Sequence, residues 1–166
     1  MSDKSTLILF HFMKKQIEFM QLALKEAKKA GENNEVPVGA LLVDKGGNII
    51  CSAYNKVIKL TDPTAHAEIL VLRKAGSIVS NYRLLGTTLY VTIEPCPMCM
   101  GAIVHARVKR VVFGAYDLKW GAAGSLYNFA EDNRLNHRLE ITGGVCEEEC
   151  RAVIQDFFRA KRNKKQ

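Results

Sequence analysis

Apolar residues recur near the start of the chain at helical spacing. Met13, Ile17, Met20, Leu24 and Ala27 are separated by 4, 3, 4 and 3 positions. That stripe predicts an amphipathic helix stopping near Gly31. Leu41-Leu42-Val43 and Ile49 to Tyr54 predict two strands, with Lys45-Gly46-Gly47-Asn48 as the turn between them. A helix is expected from about Ala65 to Val79, with Asp62-Pro63-Thr64 as its start signal. Thr88 to Ile93 is a β-branched and aromatic run and predicts a buried strand. Cys96 to about His105 reads as helix, Val108 to Ala115 as strand, and Leu139 to Thr142 as a last short strand. The final helix is expected from Glu147 to about Lys161, with Val153, Ile154, Phe157 and Phe158 as its buried face. Strands alternating with helices imply an α/β layer structure, a mostly parallel sheet covered on both faces.

Composition narrows the class. The 166 residues are 48% hydrophobic and 25% charged, as in ordinary globular proteins, and suffice for one core without staples. Neither repeats nor low-complexity linkers divide the chain, so residues 1–166 are expected to form one domain, with 1–12 as an N-terminal extension. No apolar run approaches the ~20 residues that span a bilayer. Leu7 to Phe12 is interrupted by His11 and is too short for a signal segment, which points to a cytoplasmic protein.

Charge is placed unevenly. Of the formal net +7, five cations (Arg159, Lys161, Arg162, Lys164, Lys165) lie in residues 159–166, leaving +2 elsewhere. A basic tail suits a polyanion partner and equally a solvated chain end. The five cysteines do not form an even set, which speaks against a disulfide framework. Cys51, Cys146 and Cys150 read as small core residues.

Two short motifs carry chemistry, and both fall at helix starts. Cys96-Pro97-Met98-Cys99 puts two thiols three apart in a first helical turn, on one side of the helix, with Pro97 at the first helical position. The positive helix end favours thiolate. That suits a metal ligand pair or a redox dithiol. Thr64-Ala65-His66-Ala67-Glu68 adds an imidazole and a carboxylate. His66 with Cys96 and Cys99 makes three zinc ligands, and no fourth well-spaced Cys or His is available, His105 lying on a different helix face. Three protein ligands are the pattern of an open, catalytic zinc. Glu68 could then move protons to and from an activated water. On a regular helix, however, residues two apart do not face each other, so His66 and Glu68 can share a metal only if the helix points at it end-on.

His66-Ala67-Glu68 followed by Glu94-Pro95-Cys96-Pro97-Met98-Cys99 resembles the zinc nucleobase deaminases. Glu35-Val36-Pro37-Val38-Gly39-Ala40, Asn81-Tyr82-Arg83-Leu84, Gly121-Ala122-Ala123-Gly124-Ser125 and Asn136-His137-Arg138 further resemble the bacterial tRNA-specific adenosine deaminases, in the same order from about Phe19 to Arg162. The resemblance implies a cytidine-deaminase-like, three-layer α/β/α sandwich with a central mixed five-stranded sheet. It implies one Zn2+ per subunit on His66, Cys96 and Cys99, proton transfer by Glu68, and a homodimer that binds a tRNA anticodon stem-loop. The implied reaction is deamination of adenosine to inosine at wobble position 34, in an arginine tRNA. Val36 and Asn55 would then contact the flipped adenosine, the Ala67 backbone would line the pocket, and Asp117 would lie near the sugar. Phe158, Arg159, Lys161 and Arg162 would contact RNA. Trp120 could stack on a loop base or pack on its own loop. Two alternatives share these motifs: a deaminase of free cytidine, deoxycytidylate or guanine, and a non-catalytic RNA-binding subunit with structural zinc.

Overall fold

The computed structural model describes residues 4–163, so Lys164 and Lys165 of the basic tail lie outside the described residues. The elements in order are α1 (Lys4–Glu32), β1 (Gly39–Val43), β2 (Ile49–Tyr54), α2 (Val57–Leu60), α3 (Ala67–Val79), β3 (Thr88–Ile93), α4 (Pro97–His105), β4 (Arg110–Ala115), β5 (Glu140–Thr142) and α5 (Glu147–Asn163). The strands form one sheet in the order β2-β1-β3-β4-β5. β1 runs antiparallel to both β2 and β3, whereas β3, β4 and β5 are parallel. The mixed sheet corrects the mostly parallel one implied by simple alternation. The tight turn after β1 reverses the chain, and Asp44 Oδ1 closes it by accepting from the Gly46 and Asn48 amides at 2.8 and 2.9 Å. Only the helical crossover through α4 supplies the length a parallel β3–β4 pair needs.

Period-two alternation distributes the strand side chains to two cores. Leu41, Val43, Tyr90 and Val112 face α1 and α5, while Ala40, Leu42, Leu89, Val91, Val111 and Phe113 face the α3–α4 layer. This is a three-layer α/β/α sandwich. Two glycines set the spacing on the α1–α5 face. A Cβ on Gly39 would stand 2.1 Å from the Ala23 carbonyl of α1, and one on Gly114 would stand 2.3 Å from Cys150 Sγ of α5. Helix backbone therefore rests directly on strand backbone at Gly39, and the Cys150 side chain rests on strand backbone at Gly114.

The buried face of α1 is not the predicted stripe. Met20, Leu24 and Ala27 are buried, together with Gln16, Ala23 and Ala30, but Met13 is 54% and Ile17 48% exposed. The cause is length. At about 1.5 Å per residue the helix spans roughly 43 Å, against about 17 Å for five-residue β1, so its first turns overhang the sheet. A similar correction applies to α5, where Cys150 is buried, Val153, Ile154 and Phe157 are half-buried and Phe158 is 42% exposed. Among the described residues no helix is long and apolar enough to cross a membrane.

Candidate active site

The carboxyl ends of β3 and β4 and the amino ends of α3 and α4 converge on one pocket of about 550 Å3. His66 is the N-cap of α3, with extended backbone (φ −69°, ψ 152°), and the helix begins one residue later. This resolves the spacing problem of His66 and Glu68: His66 stands outside the helix, so the separation of helical side chains does not apply to the pair. Cys96 holds the equivalent N-cap position of α4, Pro97 opens the helix, and Cys99 completes its first turn.

Nδ1 of His66 lies 3.8 Å from Cys96 Sγ and 3.5 Å from Cys99 Sγ, and the three ligand atoms all fall within 4.8 Å of one another. Zinc bonds of about 2.0 Å to nitrogen and 2.3 Å to sulfur, at tetrahedral angles, imply nitrogen–sulfur edges of about 3.5 Å. One face of a zinc tetrahedron is therefore already built, with soft sulfur and borderline nitrogen donors. Among the described residues this is the single group of three His, Cys or acidic side chains close enough to hold a metal, which leaves the fourth position open.

The electrostatics of the cluster agree with a thiolate site. A hydrogen bond from the Cys99 thiol, and a further one with His66, bring Cys96 down to about 4. Cys99 is raised, chiefly because it donates to Cys96 and also because it is buried. The Cys96 bond raises His66. Glu68 is buried in the first turn of α3, and that burial raises its carboxyl above the ordinary range, against the opposing pull of its own amide and of His66. It faces Cys99 and His66, next to the metal position.

The remaining predicted contact residues are placed as follows. Val36 and Asn55 line the pocket. Asn55 Oδ1 accepts the Ala67 amide at 2.8 Å, which points the Nδ2 donors away from α3, and no buried polar side-chain atom among the described residues lacks a partner. Ala67 is the first residue of α3. It is fully buried in the core, is not among the lining residues, and its N–H is taken by Asn55. Asp117 lines the pocket, and its Oδ1 accepts the Lys119 and Trp120 amides at 2.9 and 3.1 Å, shaping its own loop. Trp120 also lines the pocket and is 64% exposed. Phe158, Arg159 and Arg162 share a shallow groove with Lys119, so the end of α5 approaches the loop that forms the pocket rim. Lys161 instead folds back, its ammonium 3.4 Å from the Asn34 carbonyl and 4.5 Å above the Phe157 ring.

Two pocket residues carried no assignment in the sequence. The buried Glu35 carboxylate accepts the Ile58 and Lys59 amides at 3.1 and 2.7 Å, holding the start of α2 against the pocket. The buried Glu94 binds the Asp117–Ser125 loop. The available signal was an acid in an apolar setting, just before Pro95 or one residue before Val36-Pro37, but a single sequence does not say which amides such an acid accepts.

Residues 13–115 match the model of the cytidine and deoxycytidylate deaminase zinc-binding region. The chain is 52% identical over 148 residues to the tRNA-specific adenosine deaminase of Haemophilus influenzae, covering 89% of this chain and 86% of that one. It is 50% identical over 147 residues to the tRNA-specific adenosine deaminase of Bacillus subtilis, covering 89% and 91%. A solved structure from studies of A-to-I editing by tRNA:A34 deaminases at the wobble position of transfer RNA superposes with a TM-score of 0.79 at 44% identity, over 82% of this chain and 98% of that one. Identity near one half along almost the full length of both partners goes well beyond a shared fold, and the chain belongs to the zinc-binding cytidine and deoxycytidylate deaminase family, among the tRNA-specific adenosine deaminases.

Proposed function

We propose that the chain hydrolyses adenosine to inosine and ammonia at wobble position 34 of a tRNA anticodon, with arginine tRNA as its substrate. The observation that carries this reading is a buried carboxylate, Glu68, beside an open His66–Cys96–Cys99 cluster, at the floor of a cavity sized for one nucleoside. Zinc on those ligands would supply Lewis acidity that makes water nucleophilic near neutral pH. Glu68 takes the proton that water must lose to attack C6 and delivers it to ring N1. It then takes the proton of the new C6 hydroxyl and passes it to the departing amine, leaving the C6 carbonyl of inosine and ammonia. Burial suits it to both directions of transfer, because a raised carboxyl gives and takes protons closer to neutral pH. Val36 packs on the base, Asn55 offers its Nδ2 donors to a purine acceptor, and Asp117 faces the sugar.

An anticodon loop is a fitting source of the base, since flipping costs a few kcal/mol of unstacking and less where the nucleotide is already unpaired. Phe158, Arg159 and Arg162, with Lys119, continue from the rim and would carry the adjoining backbone. The chain acts as one deaminase domain in the cytoplasm. It pairs with a second copy through the apolar groove of about 870 Å3 between α3 and α4, lined by Ile69, Leu72, Tyr82 and Ala102. Met98 borders both that groove and the catalytic pocket, so a second subunit seated there would lie beside the substrate.

The test is to incubate the zinc-loaded protein with arginine tRNA, its anticodon stem-loop, and free adenosine, cytidine, deoxycytidylate and guanine. Inosine should form at position 34 of the RNAs, with little turnover of the free compounds. Efficient deamination of a free nucleoside, nucleotide or base would overturn the reading.

A further inference from the structure

Glu94 ends β3's run toward the metal, two residues before Cys96, and is buried. Its carboxylate accepts four hydrogen bonds, all from one loop. Oε2 takes the Asp117 amide at 3.1 Å and the Ser125 hydroxyl, and Oε1 takes the Ala123 and Ser125 amides at 3.0 and 2.9 Å. Among the described residues no cation pairs with it. A buried carboxylate without a counter-ion is costly unless its lone pairs are filled, and here the loop fills them. The loop is shaped to do so. A Cβ on Gly121 would lie 2.4 Å from both the Glu94 carboxylate and the Asp117 carbonyl, so a residue with a side chain there would force the two apart.

We propose that Glu94 is a positioning residue for the RNA substrate: it latches the Asp117–Ser125 loop, and with it Asp117 and Trp120, at the mouth of the pocket. The inference rests on the proposed tRNA reaction for its consequence, but the latch itself is a property of the protein alone. It separates two duties within six consecutive residues. Cys96 and Cys99 face the metal, while the Glu94 carboxylate turns to the loop and holds the wall against which the flanking nucleotides lie. The requirement is for a carboxylate. Glutamine has one acceptor oxygen and a donor –NH2, and whichever way the amide is turned, it sets that –NH2 against the Asp117 amide or against the Ala123 and Ser125 amides. The Ser125 hydroxyl can rotate to accept, but a backbone N–H cannot.

Glu94→Gln and, from the other side of the same contact, Gly121→Ala are the variants to compare with the zinc-loaded wild type. Zinc content should stay at the wild-type level in both. Hydrogen exchange at the Asp117, Ala123 and Ser125 amides should accelerate at least about tenfold, with α3 and α4 unchanged. With the anticodon stem-loop as substrate, KM should rise about tenfold, the loss expected when a charge-assisted hydrogen bond fails, while kcat falls much less. Unchanged exchange in the loop would overturn the latch, whatever the enzyme acts on. Faster exchange with an unchanged KM would overturn the positioning role, and loss of zinc would assign Glu94 to the metal centre instead. If the wild type itself fails to act on RNA, the proposed reaction falls and the exchange data still decide the latch.

Discussion

Cys99 in the metal cluster and Phe158 near the pocket rim both lie in helices that the apolar pattern predicts, yet Cys99 is fully buried and Phe158 is 42% exposed. The two helices differ in what holds them. α4 crosses between parallel strands, and Cys99, Met100, Ile103 and Val104 are all sealed into the core. α5 touches the sheet through its first turns, where Cys150 meets Gly114, and Cys150 is its buried residue. One helix is packed so that its N-terminus can hold a metal without yielding. The other is anchored at one end and displays the rest. An amphipathic repeat shows that a helix has an apolar side, but the extent of the surface beneath decides how much of that side is buried.

The contrast is sharpest at the metal. Cys99→Ala should abolish both zinc binding and deamination, because two ligands cannot replace the three that form the tetrahedral face. Elemental analysis of the purified variant checks this, and retained zinc would sink the assignment. Next in size, Glu68→Ala should keep zinc and fold while turnover falls by ~10²–10⁴-fold or more, the usual contribution of a general acid–base group. Single-turnover kinetics on tRNA, with zinc measured on the same sample, separate the loss of proton transfer from the loss of metal.

The smallest effect belongs to the displayed end. Arg162→Ala should weaken tRNA binding and reduce the slope of log K against log salt by about 0.7, and Arg159→Ala by less because its guanidinium pairs with Asp156 at 3.2 Å, both leaving zinc untouched. Lys161→Ala should change that slope less, because its ammonium is engaged with the Asn34 carbonyl and the Phe157 ring. Binding titrations across a salt series give all three slopes, and equal slopes for all three would erase the distinction drawn between inward and outward cations.

His66, Glu68, Cys96 and Cys99 were legible without a structure because each motif is short and sits where a helix begins, so its geometry is local. Strand and helix positions were legible for the same reason, apart from the four-residue α2. What could not be read is what depends on distant partners. Glu94 finds its donors 23, 29 and 31 residues further on, and Glu35 finds its own 23 and 24 residues away. The buried face of α1, the inward turn of Lys161 and the burial of Ala67 likewise follow from which surfaces meet. Spacing along a chain specifies the ligand set and the proton carrier, since a helix start carries its own electrostatics and side-chain directions. Burial, the filling of lone pairs and the exposure of a helix end are set by contacts between segments far apart in sequence, and only the folded arrangement of the layers decides them.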